Sequence, residues 1–286
     1  MNPKTCIIVT GPTAVGKTPY AIELAQLHNT SIISADSRQC FAELTIGVAK
    51  PSAEQLQAVR HYFINSHSIH DKVNAKVFEQ YALRAIGSIF ETNDVAVMAG
   101  GTGLYIKSFC QGLDEIPPVN DLIREEINES YKAMGMGWLQ HEIQKHDPLY
   151  YSSGEVHNPQ RIMRALEVKL STGESILAFQ SGNKAKRPFA IKMINLEIPR
   201  NDLYKRINQR VDDMMEQGLL KEAEALFPYR HLKALQTVGY TELFDFIEGK
   251  IPLSKAVDDI KKNTRHFAKR QITWFKKEGL INREED

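Results

Sequence analysis

The chain has 286 residues, 42% hydrophobic and 25% charged, with 36 Lys or Arg against 35 Asp or Glu and a formal net charge of +1. That length builds one large or two smaller domains with sizeable cores, and the composition excludes a disordered or fibrous protein. No apolar run approaches the roughly eighteen uncharged residues of a spanning helix, and MNPKTCIIVT lacks the apolar region of a signal peptide, so the expected location is the cytoplasm, away from any membrane. Cys6, Cys40 and Cys110 are odd in number and have no ligand-like spacing; they read as reduced buried thiols rather than metal ligands.

Along the chain, KTCIIVT (4–10) is a short apolar strand that turns directly into GPTAVGKT. Gly11, Pro12, Thr13, Ala14, Val15, Gly16, Lys17 and Thr18 satisfy G-x-x-x-x-G-K-[ST], and a helical stripe of Ala21, Ile22, Leu24, Ala25 and Leu27 follows. A strand, a glycine loop and a helix N-terminus together aim backbone N–H groups at anionic oxygens. Lys17 adds a point charge and Thr18 can hold a magnesium ion. Pro19 removes one N–H from the first helical turn, so the phosphate ligand is expected to be shorter than a triphosphate.

SIIS (31–34) reads as a second strand, with Asp36 and Ser37 just past its carboxyl end, and HYFI (61–64) as a weaker third. Asp36 either works on a ligand, accepting a proton or binding magnesium through water, or closes a turn. Phe78, Tyr81, Ala82, Ala85, Ile86, Ile89 and Phe90 mark a helical stripe, and DVAVMA (94–99) is a buried strand stopping at GGTG. Its only acid, Asp94, lies at the wrong end to serve a nucleotide hydrolase. The glycines of GGTG allow close backbone approach, and Thr102 offers a hydroxyl.

Alternating strands and helices predict an α/β fold, a P-loop NTPase-like parallel sheet with helices on both faces. Ligands bind outside the carboxyl ends of such strands, which is where residues 11–18, Asp36 and Thr102 fall. The composition shifts near IPPVN, and residues 117–187 read as a helical insertion between a first core segment, 1–116, and a return, 188–286, that opens with the strand pattern PFAIKMINLEIP. In HNPQRIMRALEV, Asn158 is a helix N-cap and Pro159 its first helical residue. Arg161 and Arg164 either bind phosphate or flank the apolar stripe of Ile162, Ala165 and Leu166. Arg206 and Arg210, one turn apart on a later helix, either complete the anion site or make a surface salt bridge. Residues 261–277, KKNTRHFAKRQITWFKK, carry seven Lys or Arg and no acid, whereas the chain ends EED. Such a helix is a solvated face or a surface for a polyanion.

Taken in order, GPTAVGKT, ISADSRQ, GVAKP, GGTGLYIK, NPQRIMRALEV, VGYTEL and TRHFAKRQITWFKK resemble the tRNA dimethylallyltransferases, also called tRNA isopentenyltransferases. The resemblance runs from residue 7 to about 277 and looks like a compact bacterial-type member. It implies transfer of a dimethylallyl group from its diphosphate to N6 of the adenosine 3′ of a tRNA anticodon, on a P-loop core whose insertion clasps the anticodon stem-loop. Asp36 would take or orient the amine proton. Residues 11–18 would hold the diphosphate with Mg2+ at Thr18, Arg210 would close over it, and Thr102 would line the channel. Ser37, Arg38, Gln39, Arg124, Gln160, Arg161, Ile162, Met163, Arg164 and the segment QTVGY (236–240) match tRNA-facing positions, and Lys269 and Arg270 supply the basic face. No obligate protein partner is implied. The rival readings are an adenylate isopentenyltransferase acting on free AMP, ADP or ATP, a P-loop small-molecule kinase, and an RNA-binding protein with an idle loop. The insertion and basic helix argue against the first, the missing acid after DVAVMA against the second, and intact Lys17, Thr18 and Asp36 against the third.

Overall fold

β1 (Thr5–Thr10) is the spine of the molecule because its residues are apolar on both faces and can be covered from both sides. The computed structural model describes residues 4–180, 182 and 184–279; the amino-terminal MNP and the acidic end EED lie outside them. α1 (Lys17–Leu27) follows the glycine loop and buries Ala21, Ile22 and Ala25, while Leu27 at its end faces solvent. β2 (Ile32–Ser34), α2 (Ala53–Ala58), β3 (His61–Tyr62), α3 (Ala75–Thr92) and β4 (Val95–Ala99) come next. The third strand is only two residues long. α3 buries Phe78, Ala82, Ala85, Ile86 and Ile89 as its periodicity predicts, and the Asn74 side chain caps it. α4 (Gly103–Gln111) completes the first stretch of the core.

The sheet order is β3-β2-β4-β1-β5, with β5 (Ala190–Asn195) returning beside β1, and every pairing is parallel. All five carboxyl ends therefore point the same way, the arrangement that gathers the loops after β1, β2 and β4 at one edge. α8 (Arg200–Glu216), α9 (Leu219–Leu226), α10 (Tyr240–Ile247) and α11 (Leu253–Lys277) follow β5. No helix among the described residues is long and apolar enough to cross a membrane.

The chain divides into two units, one running to Gly112 and resuming at Lys186, the other Leu113–Ala185. The second is helical, with α5 (Asp121–His146), α6 (Pro148–Ser153) and α7 (Pro159–Thr172) around a core of Ile127, Leu139, Ile143, Ile162 and Leu166. α5 is broken at Gly135, where φ is +75°. α7 begins as its sequence dictates: Asn158 accepts from the N–H groups of Gln160 and Arg161, and Pro159 occupies the first turn, where its missing N–H costs nothing.

Candidate functional site

The loop of residues 11–18 closes tightly because glycine stands where the backbone requires it. Gly11 has φ +136°, and a Cβ there would fall 2.6 Å from the Leu196 carbonyl oxygen. Lys17 Nζ folds back to donate to the carbonyls of Gly11 at 2.9 Å and Pro12 at 2.8 Å. Burial pulls its pKa down to about 8, with Asp36 opposing and Arg210 reinforcing the shift. Asp36 and Arg210, the second and third charges at the loop, thus both act on Lys17. α8 supplies the third: Leu203 and Ile207 pack on Ala14 of the loop beside Ala268 of α11, and Arg206 Nη1 donates to the Val15 carbonyl at 3.3 Å. Burial also lowers the pKa of Arg210, which Asp213 opposes. These contacts hold α8 against the glycine loop.

Asp36 does form a turn. Its Oδ1 accepts from Arg38 N–H at 2.8 Å and Gln39 N–H at 3.3 Å, and no hydrogen bond among the described residues engages Oδ2. The turn is tied to the next strand end, since Ser37 N–H donates to Thr102 Oγ1 at 3.0 Å and Thr102 N–H to the Ala35 carbonyl at 3.2 Å. Thr102 therefore accepts here, and its hydroxyl makes no cap bond to α4. Gly100 permits this approach, because a Cβ would lie 2.2 Å from the Ala35 carbonyl oxygen. Gly101 and Gly103 likewise allow close packing, against the side chains of Gln271 and Trp274. Gln39 is occupied inside the protein: its Oε1 accepts from Ser34 Oγ, and its Nε2 donates to the carbonyls of Val48 and Ala49. The side chain of Arg38 is partly exposed.

One residue of the site lies in the basic segment 261–277 but was not itself singled out for chemistry. Gln271 of α11 is buried; its Oε1 accepts from Thr13 N–H at 2.8 Å and its Nε2 donates to the Gly101 carbonyl at 2.9 Å. It bridges the glycine loop of residues 11–18 to GGTG. The available signal was a polar residue on the apolar stripe of Ala268 and Phe275. A cavity of about 170 Å3 opens beside Gly11 and Pro12, walled by Ile198, Ile272 and Phe275. It lies on the β5 side of β1, across from the strand ends that carry Asp36 and Thr102.

The helical unit holds the other candidates. Gln160 and Arg161 are exposed at the start of α7. Arg124 and Arg164 converge on the buried Glu167, at 3.4 and 3.3 Å, and Arg124 also pairs with Asp121 at 2.9 Å. Ile162 and Met163 need correction as contact residues: at 0% and 4% exposure they belong to the core of this unit, so the helix gives them to packing. Tyr240 of QTVGY is likewise fully buried, leaving Gln236 as that segment's exposed residue. Lys269 and Arg270 project from the exposed face of α11.

For a metal, no group of three or more His, Cys, Asp or Glu side chains gathers among the described residues. The Thr18 hydroxyl makes no hydrogen bond among them and lines a small cleft with Ser34 and Gln39. That donor set cannot cage a cation alone, but suits magnesium that keeps waters and ligand phosphate oxygens. The thiols of Cys6, Cys40 and Cys110 are all free, the first two buried.

Residues 39–278 match the family model for IPP transferase. A tRNA dimethylallyltransferase of Flavobacterium johnsoniae is 44% identical over 280 residues, covering 96% of this chain and 91% of that protein. The crystal structure of the full-length tRNA isopentenylpyrophosphate transferase of Bacillus halodurans superposes with a TM-score of 0.69 at 34% identity, covering 96% of this chain and 87% of that one. A eukaryotic dimethylallyltransferase acting on tRNA shares the fold at TM-score 0.79 and 24% identity, with 95% and 70% of the two chains covered.

Proposed function

The chain belongs to the IPP transferase family, and from that premise we propose that it transfers a dimethylallyl group from dimethylallyl diphosphate to N6 of the adenosine immediately 3′ of a tRNA anticodon, releasing diphosphate. The observation that carries this reading is the juxtaposition at one sheet edge of a phosphate loop, whose Lys17 feels both Asp36 and Arg210, with an Asp36 turn pinned to Thr102. β4 offers no acid at its carboxyl end; Asp94 pairs with Lys4 at the other end. That favours alkyl transfer over phosphoryl transfer.

In the reaction so assigned, N6 attacks the allylic carbon. The new N–C bond forms as the C–O bond breaks, the electron pair of the broken bond leaves on the diphosphate, and the amine proton passes to Asp36. Oδ1 is held by the turn, so Oδ2 is the oxygen for that proton. A neutral aromatic amine is a weak nucleophile, and its orientation matters as much as the base. Negative charge grows on the leaving diphosphate, where loop N–H groups, Lys17 and Arg210 lower the barrier most. Thr18 would hold magnesium together with diphosphate oxygens and water, and the ion supplies further charge neutralisation on the leaving group.

An adenosine in a stem-loop must leave its stack to reach such a cleft. Ser37, Arg38, Arg124, Gln160, Arg161, Arg164, Lys269 and Arg270 are assigned to holding the RNA. A tRNA acceptor places the reaction in the cytoplasm.

The test supplies magnesium and labelled dimethylallyl diphosphate with unmodified tRNA, with AMP or with ATP. Label appearing on tRNA alone is the expected result. Label on AMP or ATP would reassign the chain to a free-nucleotide acceptor, whose small size gives the helical unit no task.

A further inference from the structure

Residues 45–50, Glu222 and Tyr240 take no part in the chemistry above, yet they meet at one point. Glu222 sits in the first turn of α9, and its carboxylate reaches the turn that follows the Asp36 loop. Oε2 accepts from Ile46 N–H at 2.8 Å; Oε1 accepts from Gly47 N–H at 3.0 Å and from the Tyr240 hydroxyl at 2.6 Å. Tyr240 is fully buried, and its ring lies so close to Gly47 that a Cβ there would fall 2.6 Å from Cζ. The turn is closed internally by Ala49 N–H to the Ile46 carbonyl at 2.9 Å and Lys50 N–H to the Thr45 carbonyl at 3.2 Å.

From this turn two links run to the Asp36 loop. Gln39 Nε2 donates to the carbonyls of Val48 at 3.3 Å and Ala49 at 3.1 Å, and Lys50 Nζ donates to the Phe41 carbonyl at 2.7 Å. The backbone N–H of the same Gln39 donates to Asp36 Oδ1. Residues 35–52 contain no helix and no named strand; one isolated bridge, Phe41 to His67, ties the loop to the chain after β3, and the 45–50 turn braces its other side. A carboxylate taking two backbone N–H bonds and a phenol is a charge-assisted clamp, stronger than a neutral turn contact. The proton acceptor must stand within hydrogen-bond reach of N6, and a displacement of about 1 Å costs on the order of 100-fold in rate.

We propose that Glu222 and Tyr240 are positioning residues for turnover: they fix the 45–50 turn and, through Gln39 and Lys50, the placement of the Asp36 carboxylate. This rests on the reading of Asp36 as the group that takes the amine proton.

Tyr240→Phe keeps the buried ring and deletes the 2.6 Å bond; Glu222→Gln keeps the shape and turns one acceptor into a donor facing N–H groups. In the full chain, we expect kcat to fall about tenfold in the first and about 100-fold in the second, with the KM for tRNA and the Kd for inorganic diphosphate each within about twofold of wild type. Asp36→Asn, measured alongside, should lose turnover and keep diphosphate binding. Should Glu222→Gln fail to fold, Tyr240→Phe decides alone. If these variants only melt at lower temperature, with wild-type kcat well below their midpoints while Asp36→Asn is inactive, the positioning role is overturned and the reading of Asp36 stands. Normal turnover in Asp36→Asn would overturn that reading itself.

Discussion

Burial brings the pKa of Lys17 down from 10.5 to about 8, Asp36 pulling against the change and Arg210 adding to it. On the proposed function the ammonium form is the one that attracts diphosphate, so affinity is expected to be full well below pH 8 and to fall as pH rises through that value. Calorimetric titration of the ligand-free protein with inorganic diphosphate should show about a tenfold loss from this group between pH 7 and 9. Lys17→Arg keeps its charge over that range and should lack the loss. The sign for folding is opposite: between about pH 8 and 10.5 the unfolded chain holds a proton the folded one has released, so stability of the ligand-free protein rises with pH in that window. Lys17, Thr18 and Asp36 were open to proposal from the sequence because each stands within a few residues of a strand end, and a strand end in a parallel sheet is where ligands go. Gln271 was not, because its partner Thr13 is 258 residues away and only packing of α11 brings them together.

α11 has two faces with different work. Ala256, Ile260, Ala268, Gln271 and Phe275 are buried, and Trp274 crowds Gly103, where a Cβ would fall 2.2 Å from the indole; Lys269 and Arg270 remain exposed. A basic stretch read as one charged surface is thus also a wall of the candidate site. Lys269→Ala or Arg270→Ala should weaken tRNA binding at low salt, each lowering the slope of log affinity against log salt by about 0.9 if it touches a stem phosphate. Fluorescence titration over a salt series measures this, and an unchanged low-salt affinity would return the exposed face to solvent. α7 carries the complementary lesson. The segment QRIMR resembles a tRNA-facing segment as a whole, but helical periodicity already sets Ile162 on the apolar stripe, and the folded unit buries it with Met163. Family likeness marks a segment; the period of the helix sorts its residues between core and ligand.

The chain leaves the first unit after Gly112 and re-enters it at Lys186, and both ends are fastened together within that unit. Arg187 donates to the carbonyls of Phe109 at 2.6 Å and Ser108 at 2.9 Å, and pairs with the buried Glu79 at 2.7 Å. Because the exit and the return are joined there, replacing Leu113–Ala185 with a short Gly-Ser linker should leave the sheet and its phosphate loop intact. Inorganic diphosphate should then bind within about threefold of wild type, while label transfer to tRNA is lost. Loss of diphosphate binding would mean that the first unit depends on the second.

By itself the sequence determined the parallel α/β core, and it marked the glycine loop and a helical stretch after the first core segment. Those features are written in local backbone chemistry: glycines in a short turn, apolar runs of strand length, capped helices of period 3.6. Only the tertiary structure decided that Gln271 joins two loops, that Glu222 and Tyr240 brace the Asp36 turn, that Arg206 meets Val15, and that Ile162 and Met163 are core. Each of those facts joins residues far apart in the chain or depends on which face of a helix is covered, and both are set by packing rather than by any local pattern.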